Sequence, residues 1–230
     1  MLLHLPSVLT PEQINEIRTQ LTQAEWIDGR ETVGIQGAQV KRNLQLAEQS
    51  HARCQLGQLI LQALSTHPLF FAAALPHRIF PPRFNCYRGG GEYGYHVDGA
   101  IMSLPVPAHS PPVNLRSDVS CTVFLTEPSE YDGGELTIAD TYGEHSVKLP
   151  AGDLVLYPST SLHCVTPVTR GERVSAFFWI QSLVRNDHHR TILFEMDQVI
   201  QSLRQEDQQH PAALRLTHLY HNLLRDWSET

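Results

Sequence analysis

Two short stretches of the chain hold the residue types that could do chemistry together. CYRGGGEYGYHVDGA (86–100) contains His96 and Asp98, and HCVTPVTRGERVSAFF (163–178) contains His163 and Arg173. His96 and Asp98 are two residues apart, so on one extended strand both side chains point to the same face. With the distant His163 they offer two imidazoles and one carboxylate. Such a set fixes three positions of an octahedral metal and leaves three open, which suits a non-haem Fe(II) that must take up both a co-substrate and O2. A closed structural zinc site would want four protein ligands. A lone HxD is too common to identify anything, so the second stretch matters. Arg173 follows the turn at Arg170-Gly171, and a hairpin can return it toward the ligand side of the sheet. There its planar guanidinium can pair bidentately with a carboxylate. A chelating 2-oxo acid needs that arrangement, with its keto and near carboxylate oxygens on the metal and its far carboxylate on the Arg. The bland alternative makes Arg173 a surface partner of Glu172 or a nearby Asp.

The elements that must position these residues change character along the chain. Thr10, Pro11 and Gln13 form a helix start with a side-chain cap and a proline in the first turn. Ile14, Ile17, Leu21 and Ala24 continue it as one apolar stripe, and a second helical pattern covers about Gln45 to Leu64. From residue 78 to 183 come short runs rich in β-branched and aromatic residues: 83–87, 118–125, 134–139, 145–149, 153–157, 163–168 and 173–180. Turn signals at Asp132-Gly133-Gly134, Ala151-Gly152-Asp153 and Arg170-Gly171-Glu172 separate several of them. That spacing predicts an antiparallel sandwich or barrel such as a jelly roll. Helical periodicity returns at Asp187–Leu203 and Pro211–Trp227. The expected organisation is α+β, with N-terminal helices (1–77), a jelly-roll core (78–183) and a C-terminal helical extension (184–230). Met102 to Arg116 contains four prolines and reads as a long irregular loop, a candidate lid or substrate contact, carrying His109.

Composition bounds the function. The chain has 230 residues, with 17 Lys+Arg against 24 Asp+Glu, and a formal net charge of −7 gives no general pull toward nucleic acid or an anionic membrane. The opening MLLHLPSVLTPEQ lacks the pattern of a signal peptide, and the longest apolar run, 69–75, is too short to span a bilayer. Cys54, Cys86, Cys121 and Cys164 stand singly, as reduced structural thiols would, so a cytoplasmic location is expected. There are 13 histidines, and most have plainer readings. His188 and His189 sit at a helix start, His218 and His221 lie on a helix without a third donor, and His145 follows a hairpin turn. Asp153 reads as a turn organiser rather than a metal ligand.

The combined motifs Tyr87, His96-Val-Asp98, His163 and Arg173 resemble the Fe(II)/2-oxoglutarate oxygenases of the prolyl/lysyl-hydroxylase type. YHVDGAIM (95–102), GGELTI (133–138), the run 154–182 and DHHRTILFEMD (187–197) are similar, more narrowly, to the bacterial PKHD-type hydroxylases linked to iron uptake. The resemblance covers nearly the whole chain. It implies a double-stranded β-helix (jelly-roll) fold, Fe(II), 2-oxoglutarate and O2 as co-substrates, and often L-ascorbate as reductant. It implies His96, Asp98 and His163 as metal ligands, Arg173 for the 2-oxoglutarate carboxylate, and Tyr87 beside that co-substrate. One departure is that Phe124 stands where related animal enzymes place a second tyrosine. The reaction implied is oxidative decarboxylation of 2-oxoglutarate to succinate and CO2, coupled to hydroxylation of an unidentified substrate, a prolyl or lysyl side chain or an iron-uptake metabolite. Two other readings stay open at this point: a cupin-like metal-dependent oxygenase or isomerase without 2-oxoglutarate, and a non-catalytic metal-binding jelly-roll module. The apolar stripes of the last two helices could support a homodimer.

Overall fold

Alternating side chains along the strands build two facing antiparallel sheets in the computed structural model, which describes residues 1–32, 34–106 and 111–229. The larger sheet runs, edge to edge, β1 (Leu3–Leu5), β14 (Leu154–Pro158), β10 (Val119–Phe124), β17 (Glu172–Ser182), β6 (Arg83–Arg88), β4 (Leu44–Leu46) and β2 (Trp26–Asp28), with β5 (Pro76–Ile79) also paired to β17. The smaller sheet runs β13 (Gly143–Val147), β12 (Leu136–Asp140), β15 (Leu162–Val165), β7 (Glu92–His96) and β3 (Lys41–Arg42). Two short ribbons complete the strands, β8 (Ile101–Leu104) with β9 (Val113–Arg116) and β11 (Asp132–Gly133) with β16 (Val168–Arg170). The two sheets, with strands that alternate between them, form a jelly roll.

The long central strand β17 shows why the two faces differ. Ala176, Phe178 and Ile180 pack outward into the main core with Leu5, Phe84, Cys121, Val123 and Leu156. Arg173, Ser175, Phe177 and Trp179, one residue out of phase, line a cavity between the sheets. Helices α1 (Pro11–Thr22), α3 (His51–Ser65) and α4 (Pro68–Ala74) contribute to the main core, whereas α2 (Ile35–Val40) packs on β7 at the cavity. Of these, α1 and α3 supply Ile17, Leu21, Leu56, Ile60 and Leu64, all at most 5% exposed, each worth about 1.5–3 kcal/mol of burial. The expected capping box of α1 is present in both directions between Thr10 and Gln13. After the sheets, α5 (Asp187–Glu206) and α6 (Pro211–Trp227) pack on each other, and His189 stacks on Trp227 with ring centroids 4.0 Å apart. No helix among the described residues is long and apolar enough to cross a membrane.

Three expectations change in detail. The second helix begins at His51, capped by Ser50, because Leu44-Gln45-Leu46 is drawn into β4 between β2 and β6. The proline-rich segment is not irregular along its described arms: residues 101–104 pair with 113–116 in register, and Pro105, Pro111 and Pro112 fall beyond the paired residues. His109 lies outside the described residues. Of the four free cysteines, Cys54 is exposed on α3, while the other three are buried.

Candidate functional site

His96 and His163 stand opposite each other in the β7–β15 pairing, with ring centroids 4.2 Å apart. Asp98 does not share a strand with His96 as expected. β7 ends at His96, and Asp98 lies two residues beyond it, where the chain has left the sheet. Its carboxylate is held from the facing sheet instead: the Ser120 hydroxyl of β10 lies 2.6 Å from Asp98 Oδ2, and Ser159 Oγ lies 2.7 Å from Ser120 Oγ. The result places one donor atom from each of His96, Asp98 and His163 within 4.8 Å of one another. The His163 Nε2 to Asp98 Oδ2 distance is 3.9 Å. Among the described residues these three form the only such group.

Both imidazoles are set for one tautomer. His96 Nδ1 lies 2.8 Å from the Gly94 carbonyl and His163 Nδ1 lies 3.0 Å from that of Ser161. A carbonyl can only accept, so each Nδ1 carries a proton and Nε2 is the nitrogen left to face a metal, the usual preparation of a metal-binding histidine. Burial, then the proximity of His163, holds the His96 pKa well below the ordinary imidazole value, which keeps the ring neutral. Tyr93 stacks on His96 at 3.5 Å and Tyr157 meets His163 edge-on at 5.1 Å, fixing both ring planes. Two imidazoles and a carboxylate fit a facial set for Fe(II), with the remaining positions open toward the cavity.

Arg173 reaches the same cavity from the other sheet. It does not return beside His163 by a hairpin; the chain crosses between sheets after β16, and Arg173 lies on β17 between β6 and β10. It is 1% exposed, so it is no surface partner, and Glu172 pairs with Arg88 instead. Arg173 Nη1 donates to Ser175 Oγ at 2.7 Å, and Ser175 Oγ donates to Asn85 Oδ1 at 2.5 Å. Its Nε has no hydrogen-bond partner, and no carboxylate among the described residues pairs with it. The guanidinium carbon lies 5.3 Å from the centre of the Tyr87 ring and 5.2 Å from that of Phe124. Tyr87 is buried beside it, and burial outweighs the Arg173 charge to push the phenol up to about 12. The Tyr131 hydroxyl, also buried, lacks a partner.

Gly134 makes room for this arrangement. Its φ is +68°, and a Cβ there would stand 2.8 Å from Val168, 3.0 Å from the Arg173 stem and 3.0 Å from Tyr131. The Gly133-Gly134 pair therefore lets the β11–β12 connection close over the guanidinium.

The cavity enclosed by these residues has a volume of about 790 Å³. Sequence reasoning missed several of its lining residues. Lys41 and Gln45 come from the N-terminal segment, and Ser120 lies on β10, where SDVSCTVFL reads as a plain core strand. Only the pairing of β3 with β7 and of β4 with β6 brings the first two to the site, and no local signal marks them. The plainer histidine readings fit the structure. His145 pairs with Asp140 and His189 packs on Trp227, whereas Asp153, expected to organise its own turn, instead ties down the N-terminal segment by accepting from the Ser7 backbone and approaching His4.

Residues 82–181 match the 2OG-Fe(II) oxygenase superfamily, and 187–229 match the PKHD-type hydroxylase C-terminal domain. The chain is similar to a PKHD-type hydroxylase of Xylella fastidiosa (strain 9a5c), 61% identical over 230 residues and covering 100% of both chains. Among solved structures, its fold is similar to a Trichoplax adhaerens prolyl hydroxylase in complex with a peptide fragment of the hypoxia inducible factor oxygen degradation domain. That likeness has a TM-score of 0.57 and 12% identity, over 78% of this chain and 83% of the other. It is also similar to HygX of Streptomyces hygroscopicus with nickel, 2-oxoglutarate and hygromycin B bound (TM-score 0.53, 13% identity, 79% and 82% covered).

Proposed function

The chain belongs to the PKHD-type hydroxylases, and from that premise we propose that it hydroxylates an organic substrate at an iron(II) held by His96, Asp98 and His163. Iron(II) and 2-oxoglutarate are the family's cofactor and co-substrate. Bound here, the iron would supply the O2 activation that couples decarboxylation of 2-oxoglutarate, to succinate and CO2, with hydroxylation of a C–H bond. The remaining work belongs to the chain. His96 and His163 present Nε2 because Gly94 and Ser161 hold their Nδ1 protons. Ser120 orients Asp98. Arg173 takes the far carboxylate of 2-oxoglutarate, with Tyr87 against it, and the two sheets exclude water from the ends of the co-substrate.

The observation that carries this reading is Arg173: a guanidinium 1% exposed, without a carboxylate partner, in the cavity that also receives the three candidate ligands. A buried cation is costly until paired, and a dicarboxylate chelated at the triad would bring the missing anion. A cupin-like reaction without 2-oxoglutarate leaves that cation without a use. We further propose that residues 78–183, which contain His96, Asp98, His163, Arg173 and Tyr87, form the catalytic core, to which 1–77 adds the strands β1 to β4 as well as helices and 184–230 adds a helical extension. Four unpaired thiols fit a reducing compartment such as the cytoplasm. The test is anaerobic titration of the protein with Fe(II) and 2-oxoglutarate, following the charge-transfer absorbance of the chelate. It should saturate at one equivalent in the wild type and be absent from His96→Ala. A band of equal strength in that variant would refute the ligand assignment.

A further inference from the structure

Beyond the triad the cavity continues toward the N-terminal segment, where its wall is built of donors short of acceptors. Lys41 is 3% exposed and Gln45 1%. Lys41 Nζ donates to Thr32 Oγ1 at 3.1 Å, and no carboxylate among the described residues pairs with it. Gln45 Nε2 and Arg83 Nε have no hydrogen-bond partner. All three residues line the cavity. They come from β3, β4 and β6, where Gln45 lies opposite Asn85 and Arg83 is two residues from Asn85 on the same face. Arg83 pairs with Glu48 through Nη2, which leaves Nε for another acceptor. Buried polar groups are ordinarily satisfied, and each one left without a partner costs stability. Burial, and then the Arg83 charge, also lowers Lys41 to a pKa of about 7, and the more distant charges of Asp98 and Asp28 offset this only in part.

The neighbouring walls are aromatic. Phe80 and Trp179 meet edge to face at 5.5 Å, and the Arg83 guanidinium lies over both rings at 5.0 and 5.8 Å. Tyr93 joins the donors to the triad, with Lys41 Nζ 5.1 Å from its ring centre on one side and the His96 ring stacked at 3.5 Å. Arg173 lines the same cavity further along, linked through Ser175 to Asn85, which Gln45 faces on β4.

We propose that the substrate hydroxylated here carries an oxyanion, a carboxylate or a phosphate, which Lys41, Gln45 and Arg83 bind while its apolar body lies along Phe80 and Trp179. This rests on reading the cavity as the iron and 2-oxoglutarate site, and it adds the chemical class of the second substrate. A neutral or cationic substrate would leave three buried donors unmatched and place an uncompensated ammonium beside it.

The test uses three probes of similar shape: 3-phenylpropionate, phenyl phosphate and the neutral 3-phenylpropanamide. Each is titrated calorimetrically into the wild type loaded with Mn(II) and saturating 2-oxoglutarate. At least one anion should bind at least roughly tenfold more tightly than the amide. Which anion does so tells carboxylate from phosphate. Lys41→Met and Gln45→Glu should each bring that anion and the amide to within about twofold while leaving 2-oxoglutarate affinity within about twofold of the wild type. Equal affinity for acid and amide, no detectable binding of any probe, or an anion preference retained in both variants would overturn the proposal. So would a loss of 2-oxoglutarate binding in Lys41→Met as large as that in Arg173→Met, since the donors would then serve the co-substrate. If the wild type itself fails to bind 2-oxoglutarate, the reading of the site falls; the probe titrations are then run without it and judged by the same criteria.

Discussion

Replacing Arg173 with Met separates the needs of the fold from those of the site. The methionine keeps much of the apolar stem that passes Gly134 and removes the charged head that lies over Tyr87 and Phe124. In the ligand-free protein that head is a buried cation with one hydrogen bond to Ser175 and no carboxylate partner. Its removal should therefore be neutral or stabilising. With 2-oxoglutarate bound, the same change removes one partner of a buried charge pair, a loss of about 3–5 kcal/mol. At about 1.4 kcal/mol per tenfold, Kd should rise roughly a hundredfold to several thousandfold. Thermal unfolding with Mn(II), with and without 2-oxoglutarate, reads both effects. At a concentration about 100 times the wild-type Kd, the wild type gains about 2.7 kcal/mol, and a variant weakened a hundredfold gains only about 0.4 kcal/mol. A variant that melts lower than the wild type without ligand and keeps the full ligand-induced shift would refute the reasoning, because Arg173 would then be a structural residue.

Other predictions follow from single contacts. Ser120→Ala removes the hydroxyl that orients Asp98 and should weaken Mn(II) binding about 10- to 100-fold with little change in melting temperature, measured by metal titration. Gly134→Ala meets a φ of +68° and three contacts at or below 3.0 Å, and should destabilise by about 1–3 kcal/mol in urea unfolding. Lys41→Met should raise the melting temperature of the ligand-free protein, and the gain should depend on pH. Folding lowers the Lys41 pKa from 10.5 to about 7, so between those values the unfolded chain holds the extra proton and wild-type stability rises with pH. Below pH 7 the penalty of the buried ammonium is complete. The variant's advantage should thus be larger at pH 6.5 than at pH 9, by circular-dichroism melts; an advantage independent of pH would contradict it.

What could be read from the sequence tracks how local the signal was. The α1 cap, the helix at Pro211–Trp227 and the strand at 173–180 each rest on neighbours in the chain, and the structure places them where periodicity and turn residues indicated. The 83–87 run, likewise, is a core strand. Signals failed where distant pairing decided the outcome. Leu44-Gln45-Leu46 fits a helical pattern as well as a strand, and only the edges of β2 and β6 select the strand. The proline-rich 102–116 segment looks irregular because it holds four prolines, yet residues 101–104 and 113–116 pair in register. At the site, His96, Asp98, His163 and Arg173 could be singled out because their types and spacing are distinctive. Their scaffolding was assigned wrongly, since Asp98 is held by Ser120 across the sandwich and Arg173 sits on the opposite sheet. Lys41 and Gln45 carry no motif, and tertiary pairing alone brings them to the cavity.

Iron-dependent turnover at the triad is tested by succinate release from 2-oxoglutarate in the presence of Fe(II), ascorbate and O2, compared between the wild type and His163→Ala. His163 is buried and contributes a donor atom to the triad, so its truncation opens the facial set without touching Arg173. The wild type should release measurable succinate even without the second substrate, and the variant should fall by at least roughly a hundredfold, a loss of about 2.7 kcal/mol or more. Equal succinate release by the two proteins, or none from the iron-loaded wild type, would contradict this reading of the site.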